Sequence, residues 1–457
     1  MMAVASVSLP VRLLSTACFI GLLSAPAFAQ TATPNTPTPI VPGNAVPPGT
    51  DTPGLQADQA AGQGALVSIL QASRPDYDAQ GQHVGSFILL PTIDVTETYT
   101  SNVYAATLDT KHDFFTTVTP VVSLNSGWDR NFLGVTLGGE INRYAEFVSE
   151  NTSNFNSLVS GRYDILQGIY ISANGGFQIL HEPRGSPNAV NGEFPTEYHV
   201  GHGELAFVKD NAVIGMKING SINHYDYFNV PAMNPGAPFI LETDRNRTEY
   251  QLTAEGTYEL APHYRAVLRA SGNARDYDRK IDPGGFQRSS TGFEADAGVA
   301  LSISSKIDGE FYIGYLNQTF DDPTFRDAGG LGFGANLLWN VDGLTSVRAH
   351  LARTVEETIV TDASSFIQTA LSVSVEHEFR KNILANVAFN YAHQDYQNFG
   401  RVDDIYGFNI EGRYLLTRNL ATSLNVGYTS KVSNDIGDFQ LSPYNQAIVA
   451  VRLRLQY

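Results

Sequence analysis

From residue 85 to the end of the chain, apolar side chains recur at every second position, in blocks about as long as a tilted membrane strand. Phe293, Ala295, Ala297, Val299, Leu301 and Ile303 alternate with Glu294, Asp296, Gly298, Ala300 and Ser302. Ile214, Met216, Ile218, Gly220 and Ile222 alternate with Lys217, Asn219, Ser221 and Asn223, and residues 383–391 repeat the pattern. A period of two is a strand period, because successive side chains leave a strand on opposite faces. No later stretch has 18 consecutive apolar residues, so a transmembrane helix is excluded there. Periodicity alone does not separate a membrane strand from a half-buried strand of a soluble sandwich. The number of blocks, their connections and the chain's two ends decide between them.

Tight links at 128–131, 209–211, 260–263, 304–306, 340–343, 380–382 and 417–419 alternate with longer Pro/Gly/Asn-rich loops at 182–195, 229–244, 279–287 and 433–441. Short turns on one side and long loops on the other characterise outer-membrane barrels, periplasmic and extracellular respectively. The spacing predicts an all-β fold: a transmembrane antiparallel up-and-down β-barrel over 85–457 of about eighteen strands. Sixteen is the competing count, because the first two blocks (85–99 and 113–125) are the weakest. Charged residues are 16% of the chain, below the roughly 25% of soluble domains, and aromatics reach 11%. The net charge of −17 lacks the basic footprint of a nucleic-acid binder, so no nucleic acid is expected as partner.

Residues 1–29 read as a cleavable export signal: Arg12, an apolar run from Leu13 to Leu23, and the small-residue site Ala27-Phe28-Ala29. A lipoprotein signal at Cys18 fits less well, since Ser15 stands where a bulky aliphatic is wanted. Residues 30–84 form a Pro/Thr/Ala-rich leader, extended rather than folded, expected in the periplasm. Within it, residues 55–72 are expected as a short helix with Leu66, Ile69 and Leu70 on one face, either a plug or a tether at the barrel rim. The expected location is the outer membrane of a Gram-negative bacterium, with its lipid and lipopolysaccharide as surroundings.

One hairpin permits a register. If the turn at 260–263 centres on Pro262, facing residues have numbers summing to 524. Glu259 then faces Arg265, Glu255 faces Arg269 and Glu249 faces Arg275, all on the lumen side, with Leu260 opposite Tyr264 outside. These pairs serve as a charged filter or simply brace a polar lumen wall. At the C-terminus Val449, Val451, Leu453, Leu455 and Tyr457 alternate with Ala450, Arg452, Arg454 and Gln456. Val451, Leu453, Leu455 and Tyr457 resemble the terminal strand signal read by the outer-membrane assembly machinery, which is therefore an expected partner.

No catalytic, cofactor or metal site is expected. His199 and His202 stand three apart, which on a strand puts them on opposite faces. A serine elbow of the G-x-S-x-G type and a phosphate-binding glycine loop are both missing from the sequence. Tyr225, Tyr227, Phe228, Tyr391 and Tyr396 are expected in interfacial aromatic girdles, with stacking on sugar rings the alternative.

The segment Arg74-Pro75-Asp76-Tyr77-Asp78-Ala79-Gln80-Gly81, followed by Gly85-Ser86-Phe87 and Pro91, resembles the opening of the putative β-barrel porin 2 family. Further matches are Tyr99 with Asn102, Asp113, Pro120, Trp128, His181-Glu182, Pro195-Thr196-Glu197-Tyr198, Arg275-Asp276-Tyr277, Arg288-Ser289-Ser290, Val355-Glu356-Glu357-Thr358, and Arg401 with Asp403. The resemblance implies an outer-membrane barrel without carried-over catalytic residues, and a link to exopolysaccharide loci. Three functions follow: a channel for small solutes, a component of exopolysaccharide export or biosynthesis, and a closed scaffold or enzyme. The channel ranks first, since a barrel this wide leaves an aqueous lumen unless plugged.

Overall fold

The computed structural model describes residues 66–457 apart from 211–212, 234–238, 304–305, 361 and 435–442. The expected export signal over residues 1–29 and residues 30–65 lie outside the described residues. The strands are β1 Gln82–Val84, β2 Phe87–Thr100, β3 Asp113–Ser126, β4 Phe132–Tyr144, β5 Thr152–Leu166, β6 Ile169–His181 and β7 Glu197–Asp210. They continue as β8 Ile214–Tyr227, β9 Arg247–Ala261, β10 Tyr264–Tyr277, β11 Ser290–Ile303, β12 Ile307–Phe320 and β13 Ala328–Asn340. The last six are β14 Thr345–Glu356, β15 Phe366–Arg380, β16 Ile383–Tyr396, β17 Val402–Leu415, β18 Leu420–Ser433 and β19 Tyr444–Gln456.

Strands β2 to β19 pair antiparallel in chain order, and β19 pairs back onto β2 from Ile448↔Thr100 to Gln456↔Thr92. The sheet is an eighteen-strand closed barrel, and the two weakest blocks are its strands β2 and β3. Closure pairs the first strand of the ring with the last, so neither presents a terminal sheet edge to lipid, a condition for a β structure to cross a bilayer. No helix among the described residues is long and apolar enough to cross a membrane, which says nothing against crossing by strands.

The alternation resolves into two faces. Ile313, Leu268, Leu252, Leu331 and Val426 are exposed on the outer wall, while Arg265, Asp296, Glu411 and Arg452 are buried on the inner one. Exposed aromatics stand near both ends of the outer wall: Trp128, Tyr258, Trp339 and Tyr457 at the short-turn side, and Phe114, Phe228 and Tyr250 at the long-loop side. Pro120 interrupts one ladder. It has no N–H to donate, and the β3–β4 register passes from Val118↔Ile141 to Val121↔Gly138 with no partner for Thr119 or Pro120.

The β9–β10 register sums to 524 from Arg265↔Glu259 to Tyr277↔Arg247. At the turn it differs from the expectation: a bulge pairs Tyr264 with Ala261 instead of Leu260. His263, with φ +77, takes the left-handed conformation that closes so tight a link. The expected helix over 55–72 does not extend into the described part. Residues 66–72 make one turn, with the amides of Gln71 and Ala72 both donating to the Ser68 carbonyl.

The outer wall faces hydrocarbon, so Ile313→Arg, at mid-strand, is expected to destabilise by about 2–4 kcal/mol in denaturant unfolding from lipid vesicles. Ser271→Arg, on the lumen side of β10, is expected to cost under about 0.5 kcal/mol in the same titration.

Candidate pore

The three predicted acid–base pairs face each other in the β9–β10 register. Their side chains partner differently. Arg269 holds Glu255 at 2.8 Å and also reaches Glu310 on β12 at 2.7 Å. Arg265 contacts Asp210 of β7 at 3.1 Å, and Glu249 is held by Arg247 at 2.7 Å. Arg275 turns to Glu357, in the loop after β14. An arginine can span several strands across a concave wall, so register names the facing residue but does not fix the ion pair.

Glu357 belongs to a bridge that crosses the extracellular end of the lumen. The loop after β6 (182–196) and the loop after β14 (357–365) arise from nearly opposite sides of the ring. They meet at Asn188, whose amide donates to the Glu357 carbonyl at 3.2 Å and accepts from the Ile359 N–H at 3.1 Å. Arg275 and the Tyr277 hydroxyl both donate to the Glu357 carboxylate, and Arg288 donates to the Thr358 carbonyl at 3.0 Å. On the other side, Arg245 grips Glu182 with two bonds of 2.9 and 3.0 Å and stacks 3.9 Å over the Tyr227 ring. Beside the bridge lies a recess of about 400 Å³, partly open to solvent, lined by Tyr104, Arg184, Val190, Lys431 and Tyr444.

Burial sets the ionisation of the bridge carboxyls. It pushes Glu242 up to about 7, against the pull of Arg245. At Glu357 burial acts in the same direction but is overcome by Arg275, Arg247 and the donated hydrogen bonds, which hold its carboxyl below the usual range.

Further down, the lumen is electrically lopsided. Strands β11 and β12 present Glu294, Asp296, Asp308 and Glu310, and no lysine or arginine of β11, β12 or β13 stands on the lumen side. Among the described residues Arg269 pairs with Glu310 of this group. About a third of the way round the ring, Arg413, Arg452 and Arg454 share Glu411 and Asp94, with Arg454–Asp94 at 2.8 Å and Arg452–Glu411 at 3.1 Å. The acidic wall stays flat because glycines lie beneath its side chains. A Cβ on Gly314 would meet Asp296 Oδ1 at 2.2 Å, and one on Gly334 would meet the Tyr312 hydroxyl at 2.2 Å. Without those Cβ atoms the acids and the phenol lie along the wall instead of projecting into the passage.

At the periplasmic end residues 67–78 are seated on the inner wall. Ile69 N–H donates to Ser346 Oγ and Leu70 N–H to Glu376, both at 2.9 Å, and Arg74 pairs with Glu378 at 2.8 Å. Asn340 donates to the Val67 carbonyl at 2.9 Å, and Arg418 and Gln456 to the carbonyls of Pro75 and Tyr77, both at 3.2 Å. Ser68 is fully buried. The segment therefore runs from β13–β15 across the mouth to β18–β19, hydrogen-bonded to the wall along its length.

The sequence profile described as Putative beta-barrel porin 2 matches residues 74–457, all of the barrel and the seated segment from Arg74. The chain belongs to this family. It is an outer-membrane β-barrel porin. No curated protein matches its sequence. Similar solved structures include Pseudomonas aeruginosa OccK1 (OpdK), 9% identical over 81% of this chain and 99% of that one, with a TM-score of 0.43. OccK8 (OprE) of the same organism is 10% identical over 81% and 98%, at 0.42. The siderophore receptor PirA of that organism is 8% identical over 84% and 81%, at 0.43. Likenesses this low carry no information on what the porin passes.

Several of the motifs by which the sequence resembled the family lie at the bridge and its supports, whereas residues 74–81, Pro120 and Trp128 lie away from it. Glu182, Arg275, Tyr277, Arg288 and Glu357 are its clasps, and Arg401 pairs with Asp403 just beside it. The sequence did show polar motifs at strand ends, but not that loops 169 residues apart meet. Its one available signal was Ala189, Val190, Ile359 and Val360, apolar residues in loops otherwise expected to be solvated. Phe228 and Tyr391 lie on the outer wall, the latter 5.2 Å from Tyr406, as girdle residues do. Tyr225, Tyr227 and Tyr396 correct the girdle expectation: they point inward, fully buried, under Arg247, Arg245 and Arg401. Val451, Leu453, Leu455 and Tyr457 are exposed on the outer wall. His199 packs outside against Phe228, whereas His202 faces the lumen and bonds Asn223 at 2.7 Å. Among the described residues His224, Asp226 and Asp278 bring ligand-type atoms together at the outer rim, away from the lumen.

Arg275→Leu leaves the Glu357 carboxylate buried beside one fewer cation, a change expected to cost about 3–5 kcal/mol. It should loosen the bridge and enlarge single-channel conductance. The bridge should also respond to pH. Glu242 titrates above the ordinary 4.5, so its stabilising contribution is complete below that value and lost as pH rises through about 7. Hydrogen-exchange protection of amides 242–246 is expected to fall between pH 5 and pH 8, and Glu242→Gln to abolish that fall.

Proposed function

We propose that the porin is a passive, non-catalytic channel for small dipolar solutes, and that its lumen orients them by a sideways electric field. The observation carrying this reading is the placement of Glu294, Asp296, Asp308 and Glu310 on β11–β12, five to eight strands of the eighteen, about a third of a turn of the ring, from Arg413, Arg452 and Arg454. Charges on facing low-dielectric walls focus field lines across the water between them. A solute with separated positive and negative ends gains by aligning with that field, while an ion of either sign meets one favourable wall and one unfavourable one. The narrowed mouth beside the Asn188 bridge favours small solutes over polymers, so a polysaccharide conduit is not the reading we adopt. Export through a cleavable signal over residues 1–29, insertion through the assembly machinery by the strand ending at Tyr457, and lipopolysaccharide at the outer rim complete the proposal.

Planar-bilayer recordings of mature protein, with and without residues 30–84, test it. Stable steps are expected from both forms, larger after truncation because residues 67–78 no longer occupy the periplasmic mouth. Silence from both forms, with β-type circular dichroism intact, overturns the channel. Glu294→Gln with Glu310→Gln should shift the KCl reversal potential towards chloride; an unchanged potential removes the acidic wall from selectivity.

A further inference from the structure

The barrel wall is not uniformly laced. The β13–β14 register runs from Asn340↔Ser346 to Gly334↔Ala352 and stops, only seven pairs, although β13 continues outward to Ala328 and β14 to Glu356. Each continuation stays paired on its other side, β13 to β12 as far as Ala328 and β14 to β15 as far as Glu356. The two strands thus part company over the extracellular half of the wall.

Beyond that point the two sides overlap. Val355 and Ile367 occupy the outward rows of β14 and β15, the rows that carry lipid-facing Val347 and Val375 lower down. Both are nevertheless covered, packed with Phe320, Phe325 and Ala328, of which Phe320 and Ala328 lie on the inward rows of β12 and β13. The inner face of one ply therefore lies on the outer face of the next. The carbonyl of Val355, which a complete ladder would direct to β13, instead accepts from Arg275 at 2.8 Å. At the lipid side of the split stand Phe333 and Arg353, the guanidinium 5.9 Å from the ring and donating to Thr369 Oγ1 at 3.2 Å, and among the described residues no carboxylate pairs with Arg353.

Hydrogen-bonded strands resist separation in lipid because each freed backbone group finds no substitute. Plies held by side-chain packing have no such lock, and an apolar guest replaces the contacts it displaces. We infer that the β13–β14 overlap is a lateral slot through which the acyl chain of an anionic amphiphile passes between the outer leaflet and the lumen. The chain lies among Phe320, Phe325, Val355 and Ile367, and its acidic head is met by Arg353. This goes beyond the aqueous path proposed above and does not depend on it.

The test uses full-length porin in lipid nanodiscs with laurate carrying a photoreactive diazirine at its chain end, read by peptide mass spectrometry. Labelling of the peptides bearing Phe320, Phe325, Val355 and Ile367 is expected at least fivefold above that of outward residues elsewhere on the wall. Ala328→Phe fills the slot and should abolish that excess. Arg353→Gln, which leaves the apolar packing in place, should reduce it at least threefold and keeps the test decisive should the filled variant not fold. Labelling spread evenly over the lipid-facing rows, or an excess unchanged in Arg353→Gln and in folded Ala328→Phe, overturns the slot.

Discussion

Backbone N–H and C=O groups in hydrocarbon have only one another to bond, and everything else in this porin follows from that. The requirement forces β2 to β19 into a ring in which the last strand returns to the first. A ring of eighteen strands is too wide for its own inward side chains to fill. The chain therefore had to place long polar side chains, loops and a leader segment in the space that closure creates.

Arginine is the residue that meets this demand. Its fork reaches across strands and satisfies carboxylates and carbonyls together, so one side chain joins elements that no ladder connects. Arg245 ties Glu182 and Glu242, Arg275 ties Glu357 and the Val355 carbonyl, and Arg269 ties Glu255 and Glu310. Paired in this way the buried charges define one arrangement of the mouth. Lower in the lumen arginines outnumber acids in the cluster of Arg413, Arg452 and Arg454 with Glu411 and Asp94, while acids outnumber arginines on β11–β12, and the same chemistry that braces the mouth polarises the passage.

Much of this was legible in the sequence, for a physical reason. Period-two alternation is local, so Phe293 to Ile303 announces a strand without reference to any other residue, and Pro262 fixes the register of its hairpin to within one bulge. The lumen contacts are not local. Nothing near Asn188 says that it meets Glu357, and nothing near Arg275 says that it passes over Glu249 for an acid beyond β14. The inward turn of Tyr225, Tyr227 and Tyr396 escaped for the same reason, since a tyrosine at a strand end suits a membrane interface and a stacked arginine equally well. Parity, read one residue further, distinguishes them: the three share their rows with lumen residues.

The seam between β19 and β2 joins Gln456 to Thr92, so the first and last strands of the ring are partners. The Tyr457 amide adds a final bond to the Pro91 carbonyl at 3.1 Å. In folding terms this is the longest loop the chain closes, and its entropy cannot be repaid piecemeal. Until residues 448–456 are in place, β2 offers a row of open hydrogen-bonding groups along one side. A growing sheet with such an edge is a template for any passing strand, from this chain or another. The width that makes the lumen passable thus obliges the porin to spend its whole assembly with one flank unprotected, and only the final strand ends that exposure.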